Sequence, residues 1–235
     1  MVGASRVVDG RLEQCAVTLA VFAFCLLFAA RVSGADFDLT SDELAALERG
    51  EIVLRAPPTN ASERKRLAES ERDVVRAAVR IAARPDVVFR VMIDCAAALE
   101  YVPHLQRCEV LETAPDKSWQ LIQQRLDYGW YTPALDYVFR AEYELNRAVS
   151  IRQVRGDFIA NEGRWELEPA SDGRTTLLRY RVRAVPPNFV PPWLQRRSMA
   201  RELPNLLRGL RARAERSADL QSAAPRGKMP PLIVK

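Results

Sequence analysis

The segment Asp172-Gly173-Arg174-Thr175-Thr176-Leu177-Leu178-Arg179-Tyr180-Arg181-Val182-Arg183-Ala184 decides how the rest of the chain is read. Leu178, Tyr180, Val182 and Ala184 alternate with Arg179, Arg181 and Arg183. A period of two makes one face of a strand apolar and the other wet. Asp172-Gly173 separates this run from Trp165 and Leu167, and an Asp-Gly between two alternating runs marks a hairpin. Just downstream, Pro191-Pro192 starts the longest helical pattern. Met199, Leu203, Leu206 and Leu210 recur there at four, three and four, with Leu207 adjacent. That apolar stripe can cover the dry face of the sheet. Pro204 lies inside it and predicts a kink.

Moving upstream, the same period recurs between turn signals. Leu135, Tyr137, Phe139, Ala141, Tyr143 and Leu145 alternate with Asp136, Arg140, Glu142 and Glu144, and Asn146-Arg147 turns into Val149–Val154. Cys108–Glu112 and Trp119–Leu126 are strands either side of Asp116-Lys117. The first strand of the series is Val75, Ala77, Val79 and Ile81, alternating with Arg76, Ala78, Arg80 and Ala82. Pro85 then opens a helix, where a missing N–H is harmless. Asp94 caps a second short helix that Pro103 stops. The count is about seven strands, mostly joined by hairpins, and so an antiparallel sheet with one wet face.

The chain has 235 residues, 35 Lys+Arg against 30 Asp+Glu, one His, 48% hydrophobic and 28% charged residues. This is globular composition, which excludes collagen-like and wholly disordered chains. No CxxC or HxxxH spacing supports a zinc site, and no GxxxxGK[ST], GxGxxG or GxSxG run is present, so no metal and no cofactor is expected. From Gln14 to Ala30 there are 17 uncharged residues, after Arg6 and Arg11 and before Ser33 and Ala35. This reads as a signal peptide over 1–35, cleaved before Asp36, with an uncleaved anchor as the alternative. Either reading exports the rest, to a periplasmic or secreted location. Cleavage would remove three arginines and two acids, leaving +4 from the +5 of the whole chain. Cys95 and Cys108 would then remain as an even pair in an oxidising compartment. They are either two buried thiols or a disulfide, and export favours the disulfide.

Residues 36–72 read as an approach segment and linker. Thr40-Ser41-Asp42-Glu43 has the spacing of a capping box, Gly50 fits a helix stop, and Ile52-Val53-Leu54 is a short strand candidate. Residues 217–235 are polar and contain prolines, and read as a flexible tail.

The order strand, two short helices, six antiparallel strands and one long helix resembles the helix-grip fold of the START-like (SRPBCC) superfamily. Asp94-Cys95, Tyr101-Val102-Pro103, Cys108-Glu109-Val110-Leu111, Gly156-Asp157-Phe158 and Glu162-Gly163-Arg164-Trp165-Glu166-Leu167-Glu168-Pro169 resemble its polyketide cyclase/dehydrase and coenzyme Q-binding branch. The resemblance covers about 73–216. It is a diffuse pattern of apolar and turn positions rather than a catalytic motif. It implies an α+β domain with a curved sheet wrapped around the long C-terminal helix, enclosing a cavity for an apolar ligand.

The aromatic residues are the informative ones for chemistry. Tyr and Trp combine a large apolar face with one polar atom, which suits a pocket wall as well as a core. Tyr137, Phe139 and Tyr143 share one strand face, Tyr180 lies on another, and Met199 and Leu203 lie on the helix stripe. In a helix-grip arrangement these sets converge, so these six residues are expected to contact the ligand, around a void near Pro204. Tyr128-Gly129-Trp130-Tyr131-Thr132-Pro133 is a candidate mouth loop. His104, after Pro103, reads as a rim histidine, although a general base is the alternative. Asp127, Asp136 and Glu142 read as solvated strand charges rather than an acid–base pair. The expected activity is binding or carriage of a lipid or isoprenoid quinone-like molecule, more a binding protein than an enzyme. The alternatives are a cyclase or dehydratase on a polyketide-like substrate and a ligand-free interaction module. No nucleic-acid partner is expected of an exported protein. The arginines of the long helix read as solvated surface, with weak membrane-surface contact as the alternative.

Overall fold

The structure is a computed structural model that describes residues 37–130 and 132–223. The 1–35 segment, Tyr131 and the 224–235 part of the tail lie outside the described residues. Residues up to 38 form a separate unit from the body that begins at Leu39.

The body is one antiparallel sheet of eight strands: β1 (Val53–Arg55), β2 (Val74–Ile81), β3 (Leu105–Thr113), β4 (Trp119–Leu126), β5 (Leu135–Glu144), β6 (Ala148–Gly156), β7 (Ala160–Pro169) and β8 (Thr176–Val185). Their spatial order is β1-β2-β8-β7-β6-β5-β4-β3. The run from β3 to β8 is a meander, and β2 closes on β8 with Ala77 opposite Tyr180. The helices are α1 (Ser41–Glu48), α2 (Ala61–Arg66), α3 (Pro85–Ile93), α4 (Cys95–Tyr101) and α5 (Pro192–Ala223). This is the α+β helix-grip architecture. Its strand total exceeds the seven read from the pattern by the three-residue β1, where Val53 and Leu54 pair with Ala78 and Ala77.

Local signals explain most element ends. The Thr40 hydroxyl accepts from Glu43 N–H at 3.3 Å, and Glu43 Oε2 accepts from Thr40 N–H at 2.8 Å. Each satisfies a backbone donor that the first turn of α1 leaves open. After Gly50, at φ +81°, the chain leaves α1 with Glu51 N–H bonded to Ala46 O. Asp94 Oδ1 accepts from Ala96 N–H at 2.9 Å and so starts α4. Arg179, Arg181 and Arg183 point outward, where Glu168, Glu71 and Glu162 pair with them.

Two apolar clusters fill the inside. In the larger, Leu203, Leu207 and Leu210 of α5 pack with Ile81, Leu178 and Val88. The smaller gathers Ile122, Leu126, Leu135, Tyr137, Phe139 and Ala98 under α4. Pro204 does not end α5. The helix also continues past 216, because Ala214 and Ala218 extend the packed stripe and Glu215 Oε1 accepts from Ala82 N–H at 3.0 Å.

Candidate functional site

A cavity of about 160 Å³ lies between the two clusters. Period two along β5 sends Tyr137, Phe139, Ala141 and Tyr143 to its wall, β8 contributes Tyr180 and β7 contributes Trp165. On α5, Leu206 and Leu210 close it, not Leu203. Register sets this wall: Phe139 lies opposite Ile122, Ala141 opposite Ile151, and Trp165 opposite Tyr180. Tyr137 lies opposite Gly156, at φ +133°. A Cβ there would come within 2.4 Å of Tyr137 Cα, so only glycine fits.

Tyr180 and Trp165 stack with ring centroids 3.4 Å apart. The Tyr137 hydroxyl donates to Gln124 Oε1 at 2.6 Å, and the Tyr143 hydroxyl to Gln120 Oε1 at 2.8 Å. Among the described residues the Tyr180 hydroxyl has no hydrogen-bond partner. Burial pushes the Tyr137 and Tyr180 hydroxyls well above the usual phenol range and Tyr143 up to about 12. All three are therefore neutral donors at physiological pH. Asp94 is the one charged residue on the described wall, and its carboxylate is occupied by its helix cap.

Cys95 and Cys108 form a disulfide, with Cα atoms 5.3 Å apart. Both also line the cavity, so the bridge that ties α4 to β3 is part of the wall. Gln124 Nε2 approaches Cys108 Sγ at 3.5 Å.

A second pocket, of about 100 Å³, opens between the loop after β4, the loop after β8 and the start of α5. Tyr128, Thr132 and Pro133 line it, with Val190, Leu194 and Met199. Three described residues of the loop expected at a mouth thus line this second pocket. Phe158 also lines this outer pocket, and its ring meets Tyr137 of the inner wall edge-on at 5.2 Å. Phe158 and Tyr137 thus stand between the two spaces.

The six expected ligand-contact residues divide. Tyr137, Phe139, Tyr143 and Tyr180 share the inner cavity, and Met199 lines the outer pocket. Leu203 lines neither and packs in the larger cluster, because it meets α5's solid neighbours instead. Pro204 itself borders neither space, although residues on either side of it do. His104 sits at the rim, Nε2 3.3 Å from Glu202 Oε1 and its ring 4.7 Å from that of Tyr128. Asp136 pairs with Arg125 and Glu142 with Arg140 on the wet face, while Asp127 accepts from Gln106 and Gly129 N–H. No metal-binding cluster occurs among the described residues. Sequence reading missed Gln120, Gln124 and Asn161, whose side chains are on the inner face. Their parity with Ile122, Leu126 and Trp165 was the available signal.

An antiparallel sheet, a long helix across it and a largely apolar cavity between them define a helix-grip protein with an internal cavity. The sequence profile of the polyketide cyclase/dehydrase and lipid transport family matches residues 81–211, and the chain belongs to that family. No curated protein sequence matches it. Among solved structures it is similar to the Zhui aromatase/cyclase from Streptomyces sp. R1128, at 18% identity and TM-score 0.54 over 66% of this chain and 98% of that one. A START superfamily protein from Mycobacterium smegmatis aligns at 19% identity and TM-score 0.53 over 61% and 97%. A STAR-related lipid transfer protein fragment from Xanthomonas axonopodis aligns at 21% identity and TM-score 0.50 over 60% and 85%. These likenesses establish the shared fold.

Proposed function

We propose that the protein binds and carries a neutral, slender hydrophobic molecule, of lipid or isoprenoid quinone type, with its body past Phe158 and one polar atom at Tyr180. The observation that carries this reading is the Tyr180 hydroxyl: buried, neutral, on the cavity wall and without a protein partner. Buried polar groups are normally satisfied, and an open one beside an apolar void is a place for a ligand acceptor. The volumes support a chain over a bulky ring system. About 160 Å³ inside and about 100 Å³ at the mouth are each below the roughly 300–1,000 Å³ of pockets that enclose drug-sized molecules. A flexible chain can occupy both spaces in sequence once Phe158 turns aside. The disulfide supports an exported location, since such bonds persist in oxidising compartments.

Organic extraction of the purified full chain followed by mass spectrometry tests the reading, with Tyr180→Phe as the paired variant. The wild type should release one class of apolar molecule. The variant should bind it about fivefold more weakly, from the loss of about 1 kcal/mol of hydrogen bonding. Its own stability should be unchanged, because no protein group loses a partner. Equal affinity in both proteins, or no extracted molecule, would refute the assignment. A cyclase or dehydratase is favoured by one observation, the His104–Glu202 pair at the rim. Recovery of a chemically converted polyketide-like molecule in the same extraction would support that second reading.

A further inference from the structure

All three exposed aromatic side chains among the described residues lie at one place. Trp130 is 97% exposed, Trp193 61% and Phe189 54%. Trp130 belongs to the loop whose Tyr128, Thr132 and Pro133 line the outer pocket. Phe189 precedes Val190, and Trp193 precedes Leu194, which line it too. The aromatics therefore flank the outer pocket, Phe189 and Trp193 one residue and Trp130 two residues from its lining. Ile159, 58% exposed, follows Phe158 at the same pocket, whereas Leu44 on α1, Leu145 after β5 and Leu220 near the far end of α5 are exposed singly elsewhere. Clustered exposed apolar surface marks an interaction site, whereas scattered residues do not.

Charge beside these aromatics identifies the partner. On α5, Trp193, Arg197 and Arg201 follow at spacings of four and share a face. Arg196, Arg197 and Arg201 are exposed, and none has a carboxylate within ion-pair distance among the described residues. Arg164, Arg179, Arg181 and Arg183 on the sheet are paired. Arg152 and Arg155 on β6 are exposed without a carboxylate partner among the described residues. The α5 arginines differ in standing beside exposed aromatics. Trp and Phe side chains insert at the headgroup level of a bilayer, and arginines beside them attract anionic lipids.

We infer that the cavity mouth is a docking surface for an anionic lipid bilayer, with Trp130, Phe189 and Trp193 inserted and Arg196, Arg197 and Arg201 on the headgroups. The inference rests on the cavity being a ligand site and adds where its ligand enters. A mouth pressed to the membrane lets an apolar molecule pass between bilayer and cavity without crossing water. The aromatics are on two loops and a helix start around an opening, rather than lining a groove. That arrangement suits a fluid apolar phase better than a folded protein partner.

The test uses the full chain and vesicles of phosphatidylcholine with 30% phosphatidylglycerol, on the order of the anionic content for which surface charge attracts basic residues. Lipids brominated on the acyl chain quench only tryptophans that reach them. Quenching is expected with these vesicles, and the Trp130→Phe/Trp193→Phe double variant should lose it, since Trp119 and Trp165 remain. Arg197→Gln and Arg201→Gln should each raise the lipid concentration for half-maximal quenching by about fivefold. Attachment through residues 1–35 alone would leave Trp130 and Trp193 unquenched, and that result would overturn the inference. So would quenching that ignores both the anionic fraction and the arginine variants, or capture of a protein partner that buries the same tryptophans without lipid. Binding of diphenylhexatriene in vesicle-free buffer should be the same in wild type and double variant. Its absence from both would instead defeat the cavity reading, which separates the two failures.

Discussion

Replacing Ala141 by leucine should stabilise the protein and expel its ligand together, and only a true void produces that combination. Ala141 lies on the inner face of β5 between Phe139 and Tyr143, is 2% exposed, and borders the cavity of about 160 Å³. Leucine adds three carbons pointing into that space. At about 0.8 kcal/mol per buried methylene, the gain has a ceiling of about 2.4 kcal/mol. Imperfect fit reduces this, and cavity-filling changes usually deliver about 0.5–2 kcal/mol. For a chain of this size each kcal/mol moves the melting temperature by about 2–4 °C. The ligand loses the same contacts, and about 2.4 kcal/mol corresponds to on the order of fiftyfold in Kd. Far-UV circular dichroism melts of lipid-stripped protein read the first effect, and diphenylhexatriene titration reads the second. An overpacked site would instead lose about 1–3 kcal/mol. Destabilisation with unchanged probe binding would mean that the wall has no room and that the ligand lies elsewhere. Stabilisation with unchanged binding would mean a void that is not the ligand site.

Two further outcomes are expected. Cys95→Ser/Cys108→Ser should lower stability by about 3 kcal/mol in the chain-entropy account of a loop this size, measured by urea denaturation with and without reductant. It should also weaken probe binding, since both sulfurs are wall atoms, and identical melts for oxidised and reduced protein would contradict it. The Arg55 guanidinium, followed by Thr40 N–H, holds the Glu43 carboxyl at about 2, below its ordinary 4.5. A lowered folded-state value means stability that is complete above about pH 4.5 and lost as pH falls through about 2. Glu43→Gln should therefore cost about 1 kcal/mol at pH 7, with a gap to wild type that closes on acidification. A gap that widens below pH 4 would reverse the assigned sign.

The fold was legible where periodicity is long enough to count. β5 and β8 run ten residues each and show their parity plainly. β1 has three, too few for any period to register, so its place at the edge of the sheet appears only through its pairing with β2. The far end of α5 was hidden for a different reason. Ala214 and Ala218 complete the apolar stripe, but alanine among serine, arginine and glutamate looks the same in a solvated tail. What keeps that end ordered includes the long-range bond from Glu215 to Ala82.

The site was legible in its aromatics and hidden in its amides, and the amides explain why there is a cavity at all. The stripe of α5 is continuous in sequence through Met199, Leu203, Leu206 and Leu210, yet only some of it faces open space. Against Ile81 and Leu178 the helix packs solid, with Leu207 fully buried. Opposite β5 it does not, and the difference lies in how the aromatic rings are held. The Tyr137 and Tyr143 hydroxyls are bonded to Gln124 and Gln120 on the next strand, so each ring is tethered toward β4. A tethered ring cannot swing into the adjoining space without breaking its bond to a half-buried glutamine, at a cost of about 0.5–1.5 kcal/mol. Tyr180 is fixed by its stack on Trp165 instead, which leaves its hydroxyl uncommitted. Polar residues on the dry face of β4 thus prevent the collapse that an aromatic core would otherwise undergo. They help hold the void open, and the Tyr180 hydroxyl and the Asn161 amide are the uncommitted polar groups on its described wall.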